Sequence, residues 1–131
     1  MATSNSIDQA FLNILKKVEV LKQQSLLTIS TLATNFYRES FKNQGFTNQT
    51  LERWTPSLRN STTLVRTGQL RNSIRATIQS DTVKIFSDRD YASYLNNGTT
   101  TIRKRPFIGR SITLNLLIKT RILQLATTIF K

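Results

Sequence analysis

The stretch TGQLRNSIRATIQSDTVKIFSDRDYASYLNNGT, Thr67 to Thr99, decides the fold class. Ile74, Ala76 and Ile78 alternate with Arg75, Thr77 and Gln79, and Val83 and Ile85 alternate with Lys84 and Phe86. This period of two, with Ser80-Asp81 between the runs, predicts a β-hairpin with one apolar face and one polar or basic face. Thr67-Gly68 reads as a turn into the sheet, and Asp88-Arg89-Asp90 as the next turn or a helix entry. Tyr91, Ala92, Tyr94 and Leu95 have the spacing of a short helical turn, which Asn97-Gly98 ends. Ordered as it is, the stretch has no histidine or cysteine, and Asp81, Asp88 and Asp90 fall around turns.

Helical spacing dominates the region before it. Ile7, Phe11, Ile14, Val18 and Leu21 recur at steps of three and four, and Ile29, Leu32, Ala33 and Phe36 take up the same spacing. One helix from about Ile7 to Asn43 would be roughly 55 Å long. Gln23-Gln24-Ser25 interrupts the apolar stripe and marks a place for a bend or break. An unbroken helix would need cover from a partner subunit. Gly45 is a stop signal, with Phe46 folding back. From Thr47 to Arg66 the chain is polar and turn-rich, a connector or arm that Trp54 pins to the core. After the hairpin, Thr99 to Ile102 has strand propensity. Pro106 then ends regular structure, and Ser111 to Phe130 returns to helical spacing. Ile112, Leu116, Ile122, Leu123, Ala126 and Ile129 lie near one face, with Lys119 and Arg121 off it.

The expected fold is α+β: a long N-terminal helical region and a C-terminal helix packed on a small, mostly antiparallel β-sheet. It forms one domain over residues 1–131, divided into a helical region (1–45), a connector or arm (46–66), a β-rich core (67–109) and a C-terminal helix (110–131).

Composition narrows the function. The 131 residues include no cysteine and no histidine, which removes disulfides, thiolate metal sites and the commonest general base. Nineteen Lys+Arg against seven Asp+Glu give a net charge of +12. Residues 1–65 account for +3 and residues 66–131 for +9, and no acid follows Asp90. Such a surface attracts nucleic acid or an acidic protein neighbour. No leader-like segment opens the chain, and no apolar run approaches the ~20 residues of a membrane span. The chain is therefore expected to act in the cytoplasm or in a particle assembled there.

No catalytic, cofactor or metal site can be assembled from these residues. Serines lack an activating histidine. Asp88 and Asp90 flank Arg89 in a turn, the placement of solvated turn formers rather than a paired acid and base. Gly68 stands without a Walker or GxGxxG pattern. Arg103, Lys104 and Arg105, with Arg110 close behind, are the candidate contacts to DNA or to a neighbouring protein. No compact helix-turn-helix accompanies them, so a basic nucleic-acid-binding module is the alternative rather than the leading function.

Several short elements occur together in one order: Trp54-Thr55-Pro56, LVRTGQLRNSI (Leu64 to Ile74), VKIFSD (Val83 to Asp88), YASYLNNGT (Tyr91 to Thr99) and RPFIG (Arg105 to Gly109). In this the chain resembles the virion morphogenesis, or tail-completion, proteins of tailed bacteriophages. The resemblance runs from about Phe36 to Gly109. The chain departs from it at Tyr94 to Asn97, where the family often carries a histidine and a glutamine, and at Arg103-Lys104, where small residues are usual.

The resemblance implies a non-enzymatic α+β subunit of a homo-oligomeric ring, commonly sixfold, at the head–tail junction, as neck, completion or terminator protein. Other neck, connector or tail-tube proteins would be its partners, with non-specific contact to packaged DNA and no membrane or small-molecule substrate. Its place would be the virion, and the host cytoplasm during assembly. Trp54, Thr67, Gly68, Leu70, Ile74, Tyr91, Tyr94, Gly98, Pro106 and Phe107 would be its scaffold. Leu70 and Ile74 would start the sheet's buried side, Tyr91 and Tyr94 would cover it, and Arg105-Pro106-Phe107 would lock the exit.

Overall fold

Helix α1, Ala2–Asn43, runs unbroken for 42 residues in a computed structural model that describes residues 2–55 and 68–131. At 1.5 Å per residue this is about 63 Å. Gln23-Gln24-Ser25 does not bend it out of helical geometry. Glutamine is a good helix former, and Gln23 Nε2 donates to Glu19 Oε1 one turn earlier at 3.0 Å.

The helix stops at Gln44, whose φ of 55° is left-handed and whose Nε2 donates to Phe41 O at 2.6 Å. Gly45 serves a different purpose from the expected stop. It is buried in strand β1, where an added Cβ would sit 2.8 Å from Arg53 Cα across the ladder.

Strands β1 (Gly45–Thr47) and β2 (Leu51–Arg53) pair antiparallel, with Phe46 opposite Glu52. The composition predicts a connector here. Strands of three residues leave no alternation to read, which hides the hairpin in the sequence. Its loop caps the C-terminal helix: Asn48 Oδ1 accepts from Ile112 N at 2.9 Å, and Asn48 O accepts from Thr113 N at 2.9 Å. Pro56 and Thr67 lie outside the described residues.

Gly68, at φ 69°, opens the short helix α2, Gln69–Asn72. Leu70 is buried on this helix rather than on a strand. Strands β3 (Ile74–Gln79) and β4 (Thr82–Ser87) form the expected hairpin, turning at Ser80-Asp81 in the register Ile74 to Ser87 and Gln79 to Thr82. Helix α3 (Ala92–Asn97) follows. Among the described residues the β-structure is thus two separate two-stranded hairpins.

Thr99 to Ile102 is not a strand. Thr99 Oγ1 accepts from the amides of Thr101 (3.3 Å) and Ile102 (2.9 Å), closing a turn with the bonds a strand would have used. Helix α4, Ile112–Ile129, begins at Ser111, whose Oγ accepts from Leu114 N at 3.1 Å and donates to Thr47 O at 2.6 Å. The face of α4 turned to the core carries Leu114 and Ile118. Ile112, Leu116 and Leu123, expected on that face, are exposed.

The second half of α1 is the spine of the domain. The β3–β4 hairpin lies along it, tied by Arg38 Nη2 donating to Ile74 O at 2.9 Å and, at its tip, by the Lys22–Asp81 ion pair. Helix α4 runs back along α1 as well. The core gathers at the C-terminal end of α1. Phe41, with no exposed surface, lies edge-on to Trp54 (5.6 Å between centroids) and tilted against Phe107 (5.4 Å). Tyr37 stacks on Phe46 at 6.3 Å. Ala33, Leu70, Ile74, Ala92 and Leu114 close the cluster.

Candidate functional site

The segment Arg105 to Gly109 belongs to no helix or strand. The Arg105 amide donates to Leu95 O at 2.8 Å. Beyond it, side chains from three parts of the chain hold the backbone. Trp54 Nε1 donates to Pro106 O at 2.7 Å. Asn96 Oδ1 accepts from Phe107 N (2.8 Å) and Ile108 N (3.0 Å), while Asn96 Nδ2 donates to Ile108 O (3.0 Å). Tyr37 Oη donates to Gly109 O at 2.9 Å. Phe107 is thereby held in the core at 1% exposure. Trp54, Pro106 and Phe107 thus come together at the end of the basic loop. Asn96, inside YASYLNNGT but with no role expected of it, and Tyr37, outside the quoted elements, complete this clamp.

Tyr91 and Tyr94 do not cover the sheet. They are 42% and 55% exposed, and Ala92 and Leu95 of the same helix face the core instead. Tyr91 is the N-cap of α3 and Tyr94, three residues on, shares its side of the helix, so the two rings stay out together while Ala92 and Leu95 turn inward. Gly98, at φ 77°, lies under Lys104, whose Cβ would be 2.9 Å from an added Cβ. The loop carrying the basic cluster is folded flat against this glycine.

The basic cluster is divided. Arg105 Nε and Nη2 both donate to Thr55 O, at 3.2 and 3.1 Å, and Arg103 Nη1 donates to Thr55 Oγ1 at 3.4 Å. These two side chains brace the chain beyond Trp54. Lys104 and Arg110 are exposed. A cavity of about 250 Å³ lies between β4, α3 and Ile108, and Arg89 is the charged residue in its lining. Arg89 Nε is 3.8 Å from Asp88 Oδ1. The hydroxyls of buried Ser73 and half-buried Ser87 bond each other at 2.6 Å, and Ser73 Oγ donates to Leu70 O, so they staple α2 to the hairpin. Among the described residues no group of three or more acids, histidines or cysteines is placed to hold a metal, and no helix is long and apolar enough to cross a membrane.

Burial raises the Tyr37 phenol above its ordinary pKa. The folded state therefore holds this proton more tightly than the unfolded state does. The resulting stability is complete below the unfolded value near 10 and fades as pH rises through the higher folded value. Tyr37→Phe is expected to cost about 1 kcal/mol at neutral pH and to flatten the alkaline loss of stability. Thermal melts across that pH range check both effects, and tyrosinate absorbance should lose its high-pH component.

The largest uncovered feature is α1 itself. From Ser6 to Val20 every residue is exposed, including Phe11 at 60%. Ile7, Phe11, Ile14 and Val18 make an apolar stripe about 17 Å long that the domain's own body does not reach. Along α4 and its C-cap, Ile112, Leu116, Leu123 and Phe130 form a second exposed row.

Residues 46–98 match the HK97-gp10-like family. That family is described as Bacteriophage HK97-gp10, putative tail-component. No curated protein and no solved structure gives a match. The HK97-gp10-like segment begins in β1, includes both hairpins and ends at the Gly98 turn. It agrees with the resemblance read from the sequence and supports a structural role in a phage tail. The segment supplies Phe46, Trp54, Leu70, Ile74 and Ala92 to the core, but Phe41 and Phe107 come from outside it. Its interior is closed by α1 and by Arg105 to Gly109.

Proposed function

We propose that this chain is a structural subunit of the head–tail junction of a tailed phage, acting as a neck, completion or terminator protein. Copies of it form a closed ring around the DNA path and join tail to head. The observation that carries the reading is the projecting half of α1, an apolar helix face bare of its own domain, on a chain with an HK97-gp10-like segment. A monomer that leaves this much apolar surface uncovered is built to be covered by something else.

The role is geometric, and no substrate is turned over. Arg105 is held on Thr55 by two bonds, so the exposed charges Arg103, Lys104 and Arg110 are the ones available to meet acidic faces of adjoining rings or passing DNA. Contact with protein neighbours is favoured for most of the +12 charge, because a lumen must let DNA pass without gripping it.

A phage carrying an early stop codon in this reading frame is expected to release heads and tails that do not join. Intact, infectious particles from that mutant would overturn the proposal.

A further inference from the structure

We infer that the projecting half of α1 from one copy docks into the groove between α1 and α4 of the next copy, head to tail. The inference rests on the ring reading and supplies its subunit contact. Two adjoining depressions, of about 380 and 310 Å³, lie along the α1–α4 seam and share Leu32 and Arg121. Leu27 and Leu117 line them, 62% and 45% exposed. A third depression, at Leu123, continues the strip across the outer face of α4 through Thr120 and Gln124. Leu27, Leu32 and Leu117 are the apolar seats of this strip, set among Thr28, Thr31 and Thr120, and an amphipathic helix reaches such seats through anchors at steps of three and four. Ile7, Phe11, Ile14 and Val18 provide such anchors on a helix that is already folded, so docking orders no new backbone.

Charge orients the docked helix, whose projecting half balances Asp8 and Glu19 against Lys16 and Lys17. Helix α4 carries Lys119 and Arg121 and no acid, and no acid follows Asp90 anywhere in the chain. Two copies of α4 therefore repel each other. Asp8 and Glu19, two of the seven acids, are eleven residues apart and so lie on one flank of the α1 stripe, about 20° apart around the axis. Laid in a neighbour's groove, that flank offers carboxylates to Arg121, for which no ion pair is formed within the chain among the described residues. Pairing two projecting helices with each other would leave the groove and the α4 row bare. Head-to-tail docking covers both kinds of surface, and its repetition produces a ring or a filament.

The chain has no native cysteine, which makes disulfide trapping direct. Ile14→Cys and Leu117→Cys proteins, mixed and oxidised, are expected to give a disulfide-linked pair containing one of each. Homotypic dimers of Ile14→Cys alone, or no mixed product, would overturn the docking. Arg121→Glu should weaken self-association about tenfold, and adding Asp8→Arg and Glu19→Arg should restore it. Unchanged association in Arg121→Glu would also count against the docking. Rings seen in electron micrographs without mixed trapping would sink this contact and leave the ring reading standing. Mixed trapping in open filaments would do the reverse.

Discussion

Phe41→Ala should remove about 3–5 kcal/mol of stability, the largest loss expected from any single truncation in this chain. Phe41 has no exposed surface and touches aromatic rings from two other segments, Trp54 after the first hairpin and Phe107 after the basic loop. These partners are anchored by their own hydrogen bonds, Trp54 to Pro106 O and the Phe107 amide to Asn96. They cannot collapse into the space left behind, which places the cost toward the upper part of the range. A domain of this size has about 5–15 kcal/mol in all, so the variant should melt far earlier or accumulate as insoluble protein. Urea denaturation of the wild type, Phe41→Leu and Phe41→Ala gives the series, with Phe41→Leu intermediate. A loss under about 1 kcal/mol for Phe41→Ala would mean that the aromatic cluster is not the centre of the fold.

Asn96→Ala carries the second largest effect, about 2–4 kcal/mol, because one side chain satisfies three backbone groups. The amides of Phe107 and Ile108 and the carbonyl of Ile108 all lose their partner at once. Asn96→Asp keeps the acceptor for the two amides and loses only the donor, so it should recover most of the stability. The reporter is Trp54, whose indole is bonded to the adjacent Pro106 O. Near-ultraviolet circular dichroism of the alanine variant should lose intensity while the far-ultraviolet helix signal stays. Equal stability of the alanine and aspartate variants would contradict the clamp.

This clamp also shows where the sequence stops being legible. The β3–β4 hairpin, α3 and the two long helices follow from periodicity and turn residues, because each repeats a local signal over six or more positions. The hairpin at Gly45 to Arg53 repeats nothing, and its evidence is steric: a glycine where β2 leaves no room for a Cβ. Asn96 and Tyr37 act across 12 and 72 residues of chain, distances at which no spacing rule applies. The resemblance implies that Tyr91 and Tyr94 cover the sheet, yet the short helix turns Ala92 and Leu95 inward. The Tyr94-Leu95-Asn96-Asn97 departure from the family pattern has a physical use, since Asn96 from it holds the Arg105 to Gly109 segment. The split of the basic cluster, with Arg103 and Arg105 on Thr55, follows from the loop folding onto Gly98 and could not be read from three adjacent charges.

Electron cryomicroscopy of the virion that encodes this chain, focused on the head–tail junction, decides whether it assembles around the DNA path. A closed ring of density into which this α+β fold fits, with each α1 reaching the adjacent subunit, is the expected result. A junction fully built from other proteins, with this chain absent from the purified particle, would contradict it.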